Sequence, residues 1–480
     1  MDALLNLAGA SGVCAHLFVY RLGEWDVKSP RLFVGYALLT MMAFYLERTA
    51  VLDNLGVAIR PHWALKVVGC HILGIYLSML CYRAFWHRLS SFPGPFLAKL
   101  SNFYVTALSA KNLHLCEEVE RLHQQYGDYV RLALRDYEPR VSHYTGQLID
   151  AISKNVGRPM NMAKWFNYYS FDVMGDLSFG KPFNMLIDGK DTYFSQQLHE
   201  DMKAIGLFSH LTWLFPFFKR VPLVNSDYLK FWAWVGEQVE QRIKTTPNNP
   251  DVFSWILDAF KEGPRSKQDH LDLHGDAYLI IVAGSDTTAA TLTNLFFHLA
   301  TDRVWQTKLQ AELDALPDLS QEKLTGVKIL DAIINETLRL HPAVPSGTQR
   351  TTPPEGLQIG DRYIPGDVMV CVPTYTLFRD ERVFVQPQEF LPERWTTRPD
   401  LVKEPSAFIP FNAGPYSCVG KQLALMELRR VAAEILTRYD VHLAEEQRVN
   451  DFLDSFHDTF TLATGPLQLV FEERRKNDSP

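Results

Sequence analysis

Phe411-Asn412-Ala413-Gly414-Pro415-Tyr416-Ser417-Cys418-Val419-Gly420 is the stretch whose reading decides the fold. It holds one cysteine and runs into a helical pattern, Lys421 to Leu436 (KQLALMELRRVAAEIL). Glycines stand four residues before Cys418 and two after it. Having no side chain, they let the backbone turn tightly and come close to a large flat ligand. A sulfur just ahead of a helix N-terminus faces unpaired N–H groups and a partial positive charge. Both favour the thiolate, which is the metal-binding form. A lone cysteine with no CxxC partner suits haem iron better than zinc, whose structural sites want several Cys or His ligands. An arbitrary free cysteine is more often a small buried hydrophobe. The length of the pattern around Cys418 favours the metal reading.

The stretch resembles the haem-binding loop of the cytochrome P450 family, haem-thiolate monooxygenases. The family pattern is Phe-x-x-Gly-x-(Arg or His)-x-Cys-x-Gly, and Phe411, Gly414, Cys418 and Gly420 match it. Tyr416 departs from it, where most members carry a cation that contacts a haem propionate. The wider wording, GPYSCVGKQLALMEL, looks like the fungal branch of the family that acts on secondary metabolites. The resemblance implies a mainly α fold with small β-sheets, the cytochrome P450 fold. It also implies haem b, with Cys418 as axial ligand to iron.

Composition sets bounds around this. The chain has 480 residues, enough for a membrane segment and one large domain or two ordinary ones. Its net charge is −7 and no basic cluster stands out, which argues against a nucleic-acid partner. The six cysteines, at 14, 70, 81, 116, 371 and 418, show no paired spacing. That argues for a reducing, cytosol-facing domain without a disulfide framework.

Residues 1–90 read as a membrane region. Leu4 to Tyr20, Leu32 to Leu46 and Trp63 to Trp86 are apolar. A spanning helix needs about 20 mostly apolar residues. The third stretch meets that length; the first two are marginal, so the region holds one to three spans. A cleaved signal peptide fits poorly, because no basic n-region precedes the first apolar run. If all three span, the Arg and Lys between them give a mild bias towards a lumenal N-terminus and a cytosolic main domain. Phe92-Pro93-Gly94-Pro95 then breaks any helix. The resemblance makes it the hinge between an anchor in the endoplasmic reticulum and a catalytic domain over residues 91–472. Residues 473–480 read as a disordered tail.

Along that domain, Asn112 to Tyr126 reads as a helix and Tyr129 to Leu134 as a strand. The resemblance then breaks. Family members have two further helices and a long loop here, one helix carrying a Trp or Arg that holds a propionate. In this chain Leu134 runs directly into Arg135-Asp136-Tyr137-Glu138-Pro139-Arg140. Several dozen residues are missing near 132–135, through a gene-model fault, a splice form or divergence. Asn161 to Leu177, Asp227 to Ile243 and Val252 to Lys261 read as helices. Leu207 to Val221 is apolar enough to be a membrane-dipping surface or core.

His274 to Leu299 reads as a long apolar helix interrupted by Ala283-Gly284-Ser285-Asp286-Thr287-Thr288. An acid and hydroxyls are poor mid-helix chemistry, and such violations often mark functional sites. An exposed polar turn is the bland alternative. The family motif Ala-Gly-x-Asp-Thr-Thr implies more. Gly284 opens the helix for dioxygen, and Thr287 with Asp286 relays the protons that break the O–O bond.

Arg303 to Leu316 and Val327 to Leu340 are also helical. Glu336 and Arg339, three apart, share a helix face. The family closes this pair into a structural triad with a later arginine, here Arg394 of Pro392-Glu393-Arg394-Trp395. Leu357 to Val372 reads as hairpin strands. Thr459 to Leu462 and Leu467 to Phe471 read as terminal strands, and the resemblance sets Phe460 to Leu462 beside the substrate. Arg350 matches a propionate-binding arginine. With Tyr416 in place of a cation it is the single conventional anchor, so weakened haem retention is expected.

The function implied is a membrane-anchored monooxygenase of an apolar small molecule, fed by NADPH-cytochrome P450 reductase. Two rivals stand beside it. One is a non-catalytic membrane protein of the same fold. The other is an electron-free haem isomerase or dehydratase, against which the Asp286-Thr287 pair argues.

Overall fold

The computed structural model describes residues 2–20, 29–48, 63–86, 137–208, 226–245, 252–263, 265–366 and 369–474. The helix and strand read at 112–134, the hinge at Phe92, the gap near 132–135 and most of Leu207 to Val221 lie outside these residues. The chain divides into two compact units.

The described residues of the N-terminal unit hold three helices, one on each apolar stretch. They are α1 (Asp2–Ala15), extended by a π-helical turn to Tyr20, α2 (Ser29–Arg48), and α3 (Trp63–Cys81), extended to Trp86. α3 alone of the three is long and apolar enough to cross a membrane by composition, with mean hydropathy 1.7. It buries little of itself, leaving Leu65, Leu73, Tyr76 and Leu77 more than half exposed.

The second unit is helical with small antiparallel sheets. Its main helices are α4 (Glu138–Ser153), α5 (Met162–Phe179), α6 (Tyr193–Phe208), α7 (Ser226–Lys244), α8 (Val252–Glu262), α9 (Lys267–Thr301), α10 (Arg303–Asp314), α11 (Lys328–Leu340) and α12 (Lys421–Leu436). α5 ends where Gly180 takes φ 69°, a left-handed cap that glycine adopts without a Cβ penalty. Its aromatics pack the core: Phe166, Tyr169 and Phe171 have no exposed surface.

α9 is the axis of this unit. It starts at Lys267, seven residues before the expected His274, because Ser266 and Asp269 close a reciprocal capping box over a polar first turn. Its C-terminal half is buried on every side, from Thr288 through Phe297, which is why it reads as almost continuously apolar. Each large side chain so buried contributes about 1.5–3 kcal/mol. The polar residues at 283–288 interrupt the apolar pattern and not the helix. There the hydroxyls donate back to their own turn, Ser285 to Ile281 O at 2.6 Å and Thr287 to Ala283 O at 2.7 Å, so both are satisfied within the helix.

The strands are short. β1 (Met160–Asn161), β9 (Gln468–Glu473) and β6 (Tyr439–Leu443) form one sheet, with Val441 opposite Phe471 and both fully buried. β2 (Arg350–Thr351) pairs with β5 (Met369–Val370), and β3 (Leu357–Ile359) with β4 (Arg362–Ile364). The hairpin expected over 357–372 is thus only β3 and β4; β5 turns back to β2. Thr459 to Leu462 is likewise two strands, β7 (His457–Thr459) and β8 (Thr461–Ala463). Phe460 forms their turn at φ 75°, strained for an aromatic residue. Glu473, expected in the tail, pairs with Tyr439 instead.

Candidate active site

The cysteine loop is built by its own backbone. Cys418 N–H donates to Phe411 O at 2.8 Å, Ser417 N–H to Gly414 O at 3.0 Å and Lys421 N–H to Cys418 O at 3.3 Å. Gly414 sits at φ 68° ahead of a 3₁₀ turn through Tyr416, a conformation that a Cβ would strain. Gly420 has an ordinary φ, and a Cβ there would lie 3.8 Å from Cys418 Sγ. Its absence keeps that side of the sulfur clear. The loop is open outward, with Tyr416 67% and Val419 97% exposed.

Burial of the sulfur pushes the Cys418 thiol up, outweighing the backbone N–H groups of Gly420 and Lys421 and the Lys421 ammonium, which pull it down. The helix terminus acts on the thiol in the expected direction, through the N–H groups of Gly420 and Lys421, and desolvation works against it. Coordination reverses the balance, since a metal-bound thiol loses its proton outright. The donor set suits haem iron: one sulfur, and no cluster of three His, Cys, Asp or Glu side chains among the described residues.

α12, which carries the loop at its start, packs against α9. On α9, Leu279 and Ala283 are exposed and Thr287 is half-buried, each one turn from the next. That face is apolar except for the Thr287 hydroxyl. Gly284 has a packing role that the sequence did not show. A Cβ there would fall 2.5 Å from Met174 Sδ, so the glycine lets α9 and α5 close on each other. Asp286 is 7% exposed, and its Oδ1 lies 3.5 Å from Nε2 of His199 on α6, with no hydrogen bond to that oxygen. His199 carried no sequence signal, because the two meet only in the fold.

Arg350 and Tyr416 also come together. The guanidinium carbon stands 4.5 Å over the Tyr416 ring, and Nη1 donates to Gln349 O at 2.8 Å. Tyr416, a lost cation by the motif, thus seats the remaining one. The triad is complete and buried. Glu336 accepts from Arg339 Nη2 at 2.8 Å and Nε at 3.0 Å, and from Arg394 Nε at 2.9 Å. It also accepts from Leu391 N and Trp395 Nε1, both at 2.9 Å. The other guanidinium nitrogens bind carbonyls of Phe378, Pro387 and Glu389 from Arg339, and of Val385, Gln386 and Leu401 from Arg394. The triad thereby ties α11 to the segment 378–401 that leads into the cysteine loop. A surface pocket of about 340 Å³, lined by Gln147, Asp150, Trp165 and Leu186 among others, contains none of these residues.

Residues 106–471 match the sequence model of the family described as Cytochrome P450. The chain belongs to the cytochrome P450 family. Its members are oxidoreductases, monooxygenases that hold haem iron through a cysteine thiolate. The chain is 46% identical over 477 positions to cytochrome P450 monooxygenase orf5 of Eupenicillium brefeldianum, spanning 87% of this chain and 98% of that one. It is 42% identical over 537 positions to cytochrome P450 monooxygenase FCK2 of Fusarium pseudograminearum, spanning 96% of each. It is 30% identical over 547 positions to tryprostatin B 6-hydroxylase of Aspergillus fumigatus, spanning 98% and 96%. An alignment of 537 positions is longer than this P450's 480 residues, so dozens of residues in the Fusarium relative have no counterpart here.

Proposed function

We propose that this P450 oxidises an apolar small molecule of fungal secondary metabolism, anchored to the endoplasmic reticulum and fed electrons from NADPH by cytochrome P450 reductase. Carbon–hydrogen hydroxylation consumes one dioxygen, two electrons and two protons, and releases the alcohol and water. The observation that carries the reading is the Cys418 loop, closed on Phe411 O and opening α12, which packs on the helix bearing Gly284, Asp286 and Thr287.

Cys418 Sγ is the iron ligand, with Gly420 leaving its flank clear. Arg350, stacked on Tyr416, holds a haem carboxylate. Haem bound there supplies redox-active iron, and the thiolate pushes electron density onto it so that O–O cleavage is favoured. Asp286 and Thr287 handle the protons. Thr287 Oγ1 now donates its proton to Ala283 O, a bond it can exchange for one to dioxygen or water. Asp286 is buried beside His199, which is 42% exposed and so joins the acid to solvent. Leu279 and Ala283 give the ligand an apolar surface, which fits an apolar substrate. Glu336, Arg339 and Arg394 hold the loop and touch no reacting atom.

The tryprostatin hydroxylase among the relatives supports the substrate class. The length mismatch favours a second reading, a catalytically impaired protein of the same fold. The carbon monoxide difference spectrum of the reduced chain tests both. A red-shifted thiolate band in the parent chain, lost in Cys418→Ala, supports the monooxygenase. A band that survives Cys418→Ala overturns the ligand assignment, and no haem band in the parent chain leaves the second reading.

A further inference from the structure

By length and hydropathy α3 is the one helix among the described N-terminal residues that qualifies to cross a membrane, yet the contacts among α1, α2 and α3 describe something else. His71 lies in the middle of α3, and both its ring nitrogens are engaged. Nδ1 is 2.8 Å from Ser11 Oγ on α1, and Nε2 is 3.0 Å from the Tyr36 hydroxyl on α2. Tyr36 in turn is 3.0 Å from the Tyr20 hydroxyl, and Ser11 Oγ donates to Ala8 O at 2.7 Å. One neutral tautomer satisfies the whole chain: Tyr20 donates to Tyr36, Tyr36 to Nε2, the Nδ1 proton to Ser11, and Ser11 to Ala8 O. No charge is needed anywhere along it.

The contacts also give direction. Gly9 faces Cys70 and Gly74, Gly12 faces His71 and Ile75, and His16 bonds Ser78 at 2.8 Å, so α1 runs parallel to α3. The backbones touch: a Cβ on Gly12 would stand 2.0 Å from His71 O, and one on Gly74 2.2 Å from Gly9 O. Such glycine contacts are the usual way helices approach closely in lipid. Tyr36 meets His71, while Leu39 and Thr40, one turn on, share a groove with Val67 and Val68, one turn back. α2 therefore runs antiparallel to α3. With the π-turns that lengthen α1 and α3, the three helices reach about 28–36 Å, enough for the hydrocarbon thickness.

We infer that the three helices cross the membrane together, up, down and up, as one bundle centred on His71. This rests on the membrane-anchor reading above. If α3 crossed alone, its imidazole would lie in hydrocarbon with neither partner, a costly state. With α1 and α2 beside it both imidazole nitrogens are met, and the Asp2 end of α1 and the Trp86 end of α3 emerge on opposite faces.

The segment 21–28 discriminates. Three crossings put it on the face opposite to the segment 49–62; a single crossing by α3 puts both on the same face. A protease site is inserted between Gly23 and Glu24, or between Asn54 and Leu55, in the full chain in sealed microsomes with protease outside. The expected result is cleavage at 23/24 in intact vesicles and at 54/55 only after detergent. Equal behaviour of the two sites overturns the inference. Chain released from the microsomes by carbonate overturns the anchor reading along with it. Should an insertion disturb the bundle, Glu24→Cys and Asn54→Cys, each compared with the parent chain using an impermeant maleimide, report the same sidedness: labelling at 24 alone in intact vesicles supports three crossings, and equal labelling overturns them.

Discussion

Glu336→Gln removes one charge and almost no volume, and its cost can be worked from the contacts. Oε1 accepts from Arg339 Nη2, Leu391 N and Arg394 Nε; Oε2 accepts from Arg339 Nε and Trp395 Nε1. Whichever oxygen becomes an amide NH₂, at least two donors then face a donor. Each buried donor left unpaired costs about 1–3 kcal/mol. Glu336, Arg339 and Arg394 have fully buried side chains, so the two guanidinium charges also lose their counter-charge. Breaking a buried pair in this way costs about 3–5 kcal/mol. The two routes agree on about 4 kcal/mol, close to a thousandfold in the folding equilibrium and a large share of a typical domain's 5–15 kcal/mol. The assay is urea unfolding of the detergent-solubilised chain, followed by far-ultraviolet circular dichroism, for Glu336→Gln against wild type. A loss under about 1 kcal/mol would show that the arginines are held by their carbonyl partners alone, and would refute the argument.

His298 and His341 join Nε2 to Nε2 at 2.9 Å. Burial, aided by Arg339, pushes His298 down to about 3, and burial, with His298, Arg379 and Arg339 nearby, pushes His341 well below its usual range. The folded pair stays neutral while unfolded histidines protonate below about 6.5, so stability is present above that pH and lost as pH falls beneath it. The two together should cost about 2.5 kcal/mol between pH 7 and 5.5; a His298→Gln/His341→Gln chain with the same acid slope in urea titrations would contradict this. Gly284→Ala should cost about 1–3 kcal/mol by overpacking Met174, and Met174→Ala should recover part of it; additive losses in thermal melts would show that the two do not share the space. Tyr416→Ala should speed haem transfer to an apo-globin acceptor about two- to fivefold by unseating Arg350, while Tyr416→Phe, which keeps the ring, stays near wild type. Equal rates in all three chains would remove the stack from haem retention.

What is legible in the sequence is what is local. α5, α7, α8, α10 and α11 fall within two residues of the expected bounds because periodicity and end signals such as Gly180 act over one or two turns. The pairing of Glu336 with Arg339 is visible for the same reason, as i and i+3 on one face. The start of α9 is not, because its first turn is polar and its capping box outweighs the apolar pattern. Phe460 reads as strand because nothing local announces an aromatic residue at positive φ. His199 beside Asp286 and Arg350 over Tyr416 are meetings of distant segments, and Gly284 against Met174 is a fact of packing between two helices.

These failures and successes bear on the length mismatch with the relatives. The parts that hold the cysteine loop are Glu336 and Arg339 on α11, Arg394, and α12 with its contact to α9. All of them lie downstream of residue 266, and the hydrogen bonds given above for the triad run to residues between 336 and 401. The central hydrophobic cluster is likewise continuous from Val141 to Phe471. A shortfall near 132–135 would therefore leave the loop and the Gly284–Thr287 turn in place, and act on what encloses a ligand there. That separates the two readings physically: the scaffold argues that haem iron is ligated by Cys418, while enclosure decides how long the haem stays and which substrate is held. Haem ligation and haem retention are accordingly distinct measurements in this P450, and a thiolate spectrum with fast haem loss is the outcome that the described contacts favour.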